Sequence, residues 1–190
     1  MWKANAILGR EFVMRRIFLI LILVLTLAPA TAMADGLSVM VGAESVSFGA
    51  DLGEYYDLPT GLGVVAIVSI PKLLLGTPLD ISIGQRIVDE ENSGLEATYQ
   101  WIEAGPRFIF GNDGDKIRPD IFLGVGTYDL EIGDFEFDTA TGGYIGFGWE
   151  DKATEHLSGR LQVKGVYWKS DTFETDGASL NISLLFGYTF

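Results

Sequence analysis

From Ala178 to the end of the chain, apolar and polar positions alternate without a break. Ala178, Leu180, Ile182, Leu184, Phe186, Tyr188 and Phe190 hold the even positions. Ser179, Asn181, Ser183, Leu185, Gly187 and Thr189 hold the odd ones. One face is wholly apolar and the other mostly small or polar. A period of two over thirteen residues is long for a strand of a soluble domain and suits a tilted strand that crosses a membrane.

The same pattern recurs upstream. Leu157, Leu161, Val163 and Tyr167 oppose Ser158, Arg160, Gln162 and Lys164. Ile145, Phe147 and Trp149 oppose Tyr144, Gly146 and Gly148, and Ile121, Leu123 and Val125 oppose Asp120, Phe122, Gly124 and Gly126. Leu79, Ile81, Ile83 and Ile87 oppose Asp80, Ser82, Gly84 and Arg86, while Leu37, Val39, Val41 and Ala43 oppose Ser38, Met40, Gly42 and Glu44.

Residues 95–110 are less regular. Leu95, Ala97, Tyr99 and Trp101 share one parity, with Glu96, Thr98 and Gln100 opposite. Beyond them Ile102, Ala104, Phe108 and Phe110 are the apolar set, with Glu103 and Arg107 opposite. A β-bulge near Trp101 would restore one apolar face, with Pro106 placed where no ladder donor is needed. Residues 61–70 are apolar on both faces, so their register is unreadable. Turn signals fall near 50–60, 71–77, 89–94, 111–118, 132–138, 151–156 and 171–176. Seven connections give an all-β, eight-stranded antiparallel up-and-down barrel.

Alternation alone does not say which face is outside, and a soluble lipocalin-like barrel that binds an apolar ligand would alternate too. Three features favour a transmembrane barrel with its apolar face outward. The polar face carries charges of both signs, Glu44, Arg86, Glu96, Glu103, Arg107, Arg160 and Lys164, which can pair across a closed interior but are costly buried singly. That face is also rich in glycine, which lets a narrow interior close. Only five lysines, Lys72, Lys116, Lys152, Lys164 and Lys169, follow residue 34, and three fall in predicted turns. Tyr188, Phe190, Trp149, Phe108 and Phe110 gather at the strand ends nearest the termini, with Tyr99 and Tyr167 toward the other rim, as in the aromatic girdles of membrane barrels.

The first 34 residues read as a secretion signal preceding the barrel domain of residues 35–190. Arg15 and Arg16 precede an apolar run from Ile17 to Leu27, and Ala32-Met33-Ala34 is a small-x-small site, so cleavage is expected between Ala34 and Asp35. Met14 is an alternative start. The run is 11 residues long, short of the roughly 20 that a spanning helix needs. Cleavage removes four of the 13 basic and one of the 26 acidic residues, leaving nine and 25, a net charge of −16. That charge argues against nucleic acid as a partner. The chain has no cysteine, which excludes disulfides, thiol catalysis and a lipidated N-terminal cysteine.

Two stretches resemble the small outer-membrane barrels, the group that includes the OmpA transmembrane domain, OmpX-type and opacity-type proteins. Tyr188-Thr189-Phe190 on an alternating strand is similar to the C-terminal signal read by the barrel-assembly machinery. Leu185 stands where that signal often has glycine. Thr154-Glu155-His156-Leu157-Ser158-Gly159-Arg160-Leu161 resembles the turn that leads into the seventh strand, with Glu155 and His156 in place of an Asp-Asn pair. The resemblance implies a bacterial outer-membrane location with both termini in the periplasm. It also implies periplasmic chaperones and the assembly machinery as partners, beside membrane lipid and lipopolysaccharide. Connections 50–60, 89–94, 132–138 and 171–176 would then be extracellular.

Those loops are short and acidic. Asp89, Glu90 and Glu91 in the second, and Asp134, Glu136 and Asp138 in the third, are oxygen donors that could take divalent cations at the outer rim. A solvated loop surface explains them equally. His156 and Ser158 resemble the His-x-Ser pair of lipid A deacylases, which implies an alternative as a lipid A-modifying hydrolase, although the expected turn at 151–156 lies at the wrong end for it. A small channel is a third alternative, but eight strands leave room mainly for packed side chains. The leading expectation is a monomeric, non-enzymatic outer-membrane barrel without a cofactor. Its interior would be filled, and its role structural or surface-interacting.

Overall fold

The computed structural model describes residues 36–49, 61–74, 76–89, 96–112, 114–132, 135–136, 139–169 and 176–190. Eight long strands form: β1 (Ser38–Gly49), β2 (Gly61–Leu74), β3 (Thr77–Asp89), β4 (Glu96–Ile109), β5 (Ile117–Ile132), β6 (Ala140–Lys152), β7 (Leu157–Lys169) and β8 (Asp176–Thr189). Phe135–Glu136 pairs briefly back onto the end of β5. Each long strand is antiparallel to its sequence neighbours, and β1 pairs with β8, so the sheet closes on itself with no free edge. In lipid, closure is what leaves no backbone donor or acceptor unpaired.

The register fixes the barrel's size. Starting at Glu44 and stepping through Gly63, Arg86 and Tyr99, the ladder reaches β5 at Leu130. Stepping the other way through Ser183, Gln162 and Gly148 it reaches β5 at Asp120, ten residues away. A shear of ten on eight strands implies a tilt of about 40° and a backbone radius of about 8 Å. A lumen that narrow is filled by side chains.

The two faces are inverted relative to a soluble protein. Leu62, Val64, Ile102, Val125, Ile145, Leu161, Tyr167, Leu180, Leu184 and Phe186 are all exposed on the outer face. Between Ile117 and Leu157 at the end nearest the termini and Leu62 and Tyr167 toward the far end, this apolar band is about 25 Å tall, the height of a membrane barrel's outer band. Trp149 and Tyr188 are exposed near its terminal edge.

The inward parities of β1, β3, β5, β6, β7 and β8 are those read from the pattern. In β2, Val65, Ile67 and Ser69 face inward, and Leu62, Val64 and Ile70 do not. That resolves the register of the doubly apolar stretch.

The structure corrects the reading of β4. There is no bulge at Trp101: the register keeps one offset with β3 from Glu96 to Pro106 and with β5 from Ala97 to Ile109. Ala97, Tyr99 and Trp101 face inward with Glu103 and Arg107, so Tyr99 is no girdle residue. Parity misled because the inner face itself turns aromatic toward the far end. Pro106, lacking an N–H, falls where pairing with β5 lapses between Ala104 and Arg107. The connection expected at 71–77 is also shorter. β2 runs past Pro71 to Leu74, absorbing a register shift between Ile70 and Leu74, with Lys72 at φ 54°.

Glycine on the inner face makes room for these aromatics. Gly84 lies beside Trp101 on the next strand, where a Cβ would overlap the indole. Gly84→Val is therefore expected to cost about 1–3 kcal/mol by overpacking, read as a lower urea midpoint of the detergent-folded barrel. An unchanged midpoint would mean the indole can move aside.

Candidate functional site

The chemistry of the described residues is concentrated inside the barrel. Five acids (Glu44, Asp80, Glu103, Asp120, Glu150) and five cations (Arg86, Arg107, Arg118, Arg160, Lys164) are buried there. Each is placed by strand parity, and each strand from β3 to β7 contributes at least one. The interior is therefore formally neutral, which removes the largest part of the cost of burying charge.

Toward the termini lies an arginine-rich layer. Arg160 grips Asp120 through Nη2 at 2.5 Å and Nε at 3.1 Å, and its Nη1 is 3.3 Å from Asp80. Arg107 bridges Asp80 at 3.2 Å and Glu150 at 3.1 Å. Arg118 reaches the same Glu150 oxygen at 3.4 Å. Ser69 donates to Asp80 at 2.5 Å. The Arg160 guanidinium also lies 4.8 Å from the Phe122 ring centroid, a favourable cation–π placement.

Midway along the barrel, Lys164 donates to Glu103 at 2.7 Å and lies 3.9 Å from Glu44. Glu103 also accepts from Ser82 at 2.9 Å and Tyr128 at 3.1 Å. Glu44 accepts from Asn181 at 2.8 Å and Ser183 at 2.5 Å. Both carboxylates are thus multiply bonded, as buried carboxylates must be.

Above this, the far half is closed by aromatics. Tyr99 meets Phe48 edge-on at 5.1 Å, Trp101 at 5.2 Å and Tyr128 in a stack at 6.2 Å. Arg86 sits over Phe48 at 4.9 Å. The arrangement is a sequence of ionic and aromatic layers. It holds eight strands together and fills the lumen.

Six of the seven charges expected inside are there: Glu44, Arg86, Glu103, Arg107, Arg160 and Lys164. The seventh, Glu96, begins β4, and its side chain lies outside the described residues. Four members were missed. Asp80 and Asp120 already sat on the polar parity. Arg118 falls in the expected turn at 111–118 and Glu150 lies just before the one at 151–156; extending each alternation by one step, from Asp120 and from Gly148, places both on the inner face.

The structure does not bring His156 and Ser158 together. His156 is exposed in the turn, its Nδ1 donating to the Thr189 carbonyl at 2.9 Å and its ring stacked on Tyr188 at 5.5 Å. Ser158 points into the barrel, where its Oγ has no hydrogen-bond partner among the described residues. Asp89, Glu90, Glu91, Asp134, Glu136 and Asp138 have side chains outside the described residues. Of the assembly-signal residues, Tyr188 pairs with Val39 and Leu157, and Phe190 N donates to the Leu37 carbonyl at 2.9 Å.

No protein-family model and no curated protein matches the sequence. Solved structures do match. Neisserial surface protein A (NspA) aligns over 81% of this chain and 97% of its own, at 12% identity and a TM-score of 0.69. Ail, the attachment invasion locus protein of Yersinia pestis, aligns over 82% and 98%, at 18% identity and a TM-score of 0.53. The outer membrane enzyme PagL aligns over 78% and 97%, at 17% identity and a TM-score of 0.51. At these identities the likeness is one of fold. The closed sheet, its eight strands and these neighbours together give the chain the fold of the small eight-stranded outer-membrane barrels.

Proposed function

We propose that this chain is exported, loses residues 1–34, and resides in a bacterial outer membrane as a monomeric barrel with a structural or surface-interacting role. The observation that carries the reading is the inverted distribution of side chains. Among the described residues ten charged side chains are buried in the lumen, nine of them in ion pairs with one another, while two dozen large apolar side chains are exposed. Water would favour the reverse, and lipid favours this arrangement. The filled lumen supports a plug rather than a pore. The separation of His156 from Ser158 gives no support to a hydrolase built on that pair.

In this reading the end that carries the termini faces the periplasm. Chaperones and the assembly machinery deliver the chain through Tyr188 and Phe190. The acidic loops meet lipopolysaccharide, with divalent cations between carboxylate and phosphate. Cell fractionation tests the core of the proposal. The protein is expected in the outer-membrane fraction and to migrate faster unboiled than boiled on a gel. Recovery in the soluble fraction, with no shift on boiling, would sink it.

A further inference from the structure

The ionic layer nearest the termini is balanced, three arginines against three carboxylates, until its outermost position. Lys152, the last residue of β6, continues the inward parity of Gly148 and Glu150 and is half-buried. Among the described residues no ion pair reaches it. Directly across the ladder stands Ser158. It is 7% exposed, and among the described residues its Oγ has no hydrogen-bond partner. Residues directly opposite on a ladder have Cβ atoms about 5 Å apart, so the two side chains leave the sheet from one small patch of its inner face. Arg118 lines the same mouth, opposite Glu150. Lys116 belongs to the adjoining turn, where its carbonyl accepts from Lys152 N at 2.9 Å.

A buried hydroxyl left without a partner is costly, and here it stands across the ladder from a cation that makes no ion pair among the described residues. The groups that face one another at this mouth are donors. That donor set suits an anion with several oxygens, because guanidinium, ammonium and hydroxyl all donate and a tetrahedral oxyanion accepts from several directions at once. We propose that this mouth binds a phosphate-type oxyanion, held by Lys152 and Ser158 with Arg118 behind them. The source is either free phosphate or the headgroup of a phospholipid in the adjoining leaflet. Lys152 is close to the level of exposed Trp149, where headgroups lie if the barrel spans a membrane. Only the headgroup source rests on the membrane reading.

The test uses the mature barrel folded in a phosphate-free non-ionic detergent. Phosphorus NMR follows titrations with inorganic phosphate and, separately, with dihexanoylphosphatidylglycerol below its micellar concentration. Saturable binding with a Kd of about 1 mM or tighter is expected. Ser158→Ala and Lys152→Gln should each weaken it by about five-fold or more. Lys152→Arg should restore most of it, and Lys169→Gln, at the end of β7 remote from the mouth, should leave it unchanged. A gel shift on boiling checks that each variant is folded. Response to inorganic phosphate alone assigns the free ion, and response to the lipid, with or without phosphate, assigns the headgroup. Binding in neither arm, or binding unaffected by both Ser158→Ala and Lys152→Gln, overturns the proposal, and neither result touches the outer-membrane assignment.

Discussion

Replacing Arg160 with methionine is expected to cost the barrel about 3–5 kcal/mol, the penalty for stranding a buried charge. Arg160 is 1% exposed and supplies both close contacts to Asp120. Without it, the nearest remaining cation to Asp120 is Arg107 at 4.0 Å. Asp80 would keep Arg107, so the damage should centre on Asp120. Urea unfolding of the detergent-folded barrel measures it as a fall in midpoint at constant slope. The second substitution Asp120→Leu should recover about half of the loss or more, because removing both partners leaves no uncompensated charge. If Arg160→Met shifts the midpoint by less than about 1 kcal/mol, the lumen is hydrated enough to screen the pair, and the picture of a dry, filled interior fails.

Leu184→Arg should be nearly as damaging, for the opposite reason. Leu184 is 51% exposed on the outer face, near the middle of the apolar band. An arginine at the midplane of a membrane barrel costs about 2–4 kcal/mol. On a water-facing surface the same change is worth within about 0.5 kcal/mol of nothing. The measurement is the unfolding free energy in phospholipid vesicles. A neutral result there would turn the barrel right side out, with water against Leu184, whatever the fold neighbours suggest.

How far the fold could be read depended on whether parity carried a single meaning. In β8 it did: Leu180 to Tyr188 on one face and Ser179 to Gly187 on the other needed no structure to assign. In β2 both faces are apolar because Val65 and Ile67 belong to the packed interior while Val64 and Val68 face out. Hydrophobicity cannot separate two apolar environments. In β4 the same ambiguity produced an error. Tyr99 and Trp101 fill the lumen over small neighbours such as Gly84, so their parity matched the lipid-facing set of the wrong half-strand. Charges were more legible than aromatics, since a buried Glu103 or Arg107 has only one tolerable side of the sheet. What the pattern could not give was the pairing. That Arg160 meets Asp120 and Asp80 follows from the shear, which is a property of closure and of no single hairpin.

For the proposed membrane barrel, that pairing constrains how the chain inserts. Arg160 on β7 meets Asp80 on β3 across 80 positions of sequence, and Ser183 on β8 meets Glu44 on β1 across 139. A half-built sheet therefore lacks many of its counterions, and a one-residue slip would turn its charges toward the acyl chains. Naked charges are barred from hydrocarbon, so an open sheet must keep its inner face wet until the seam between β1 and β8 zips shut. Expulsion of lumen water, neutralisation and entry into lipid should then coincide, making insertion of this barrel a single cooperative event rather than a hairpin-by-hairpin one.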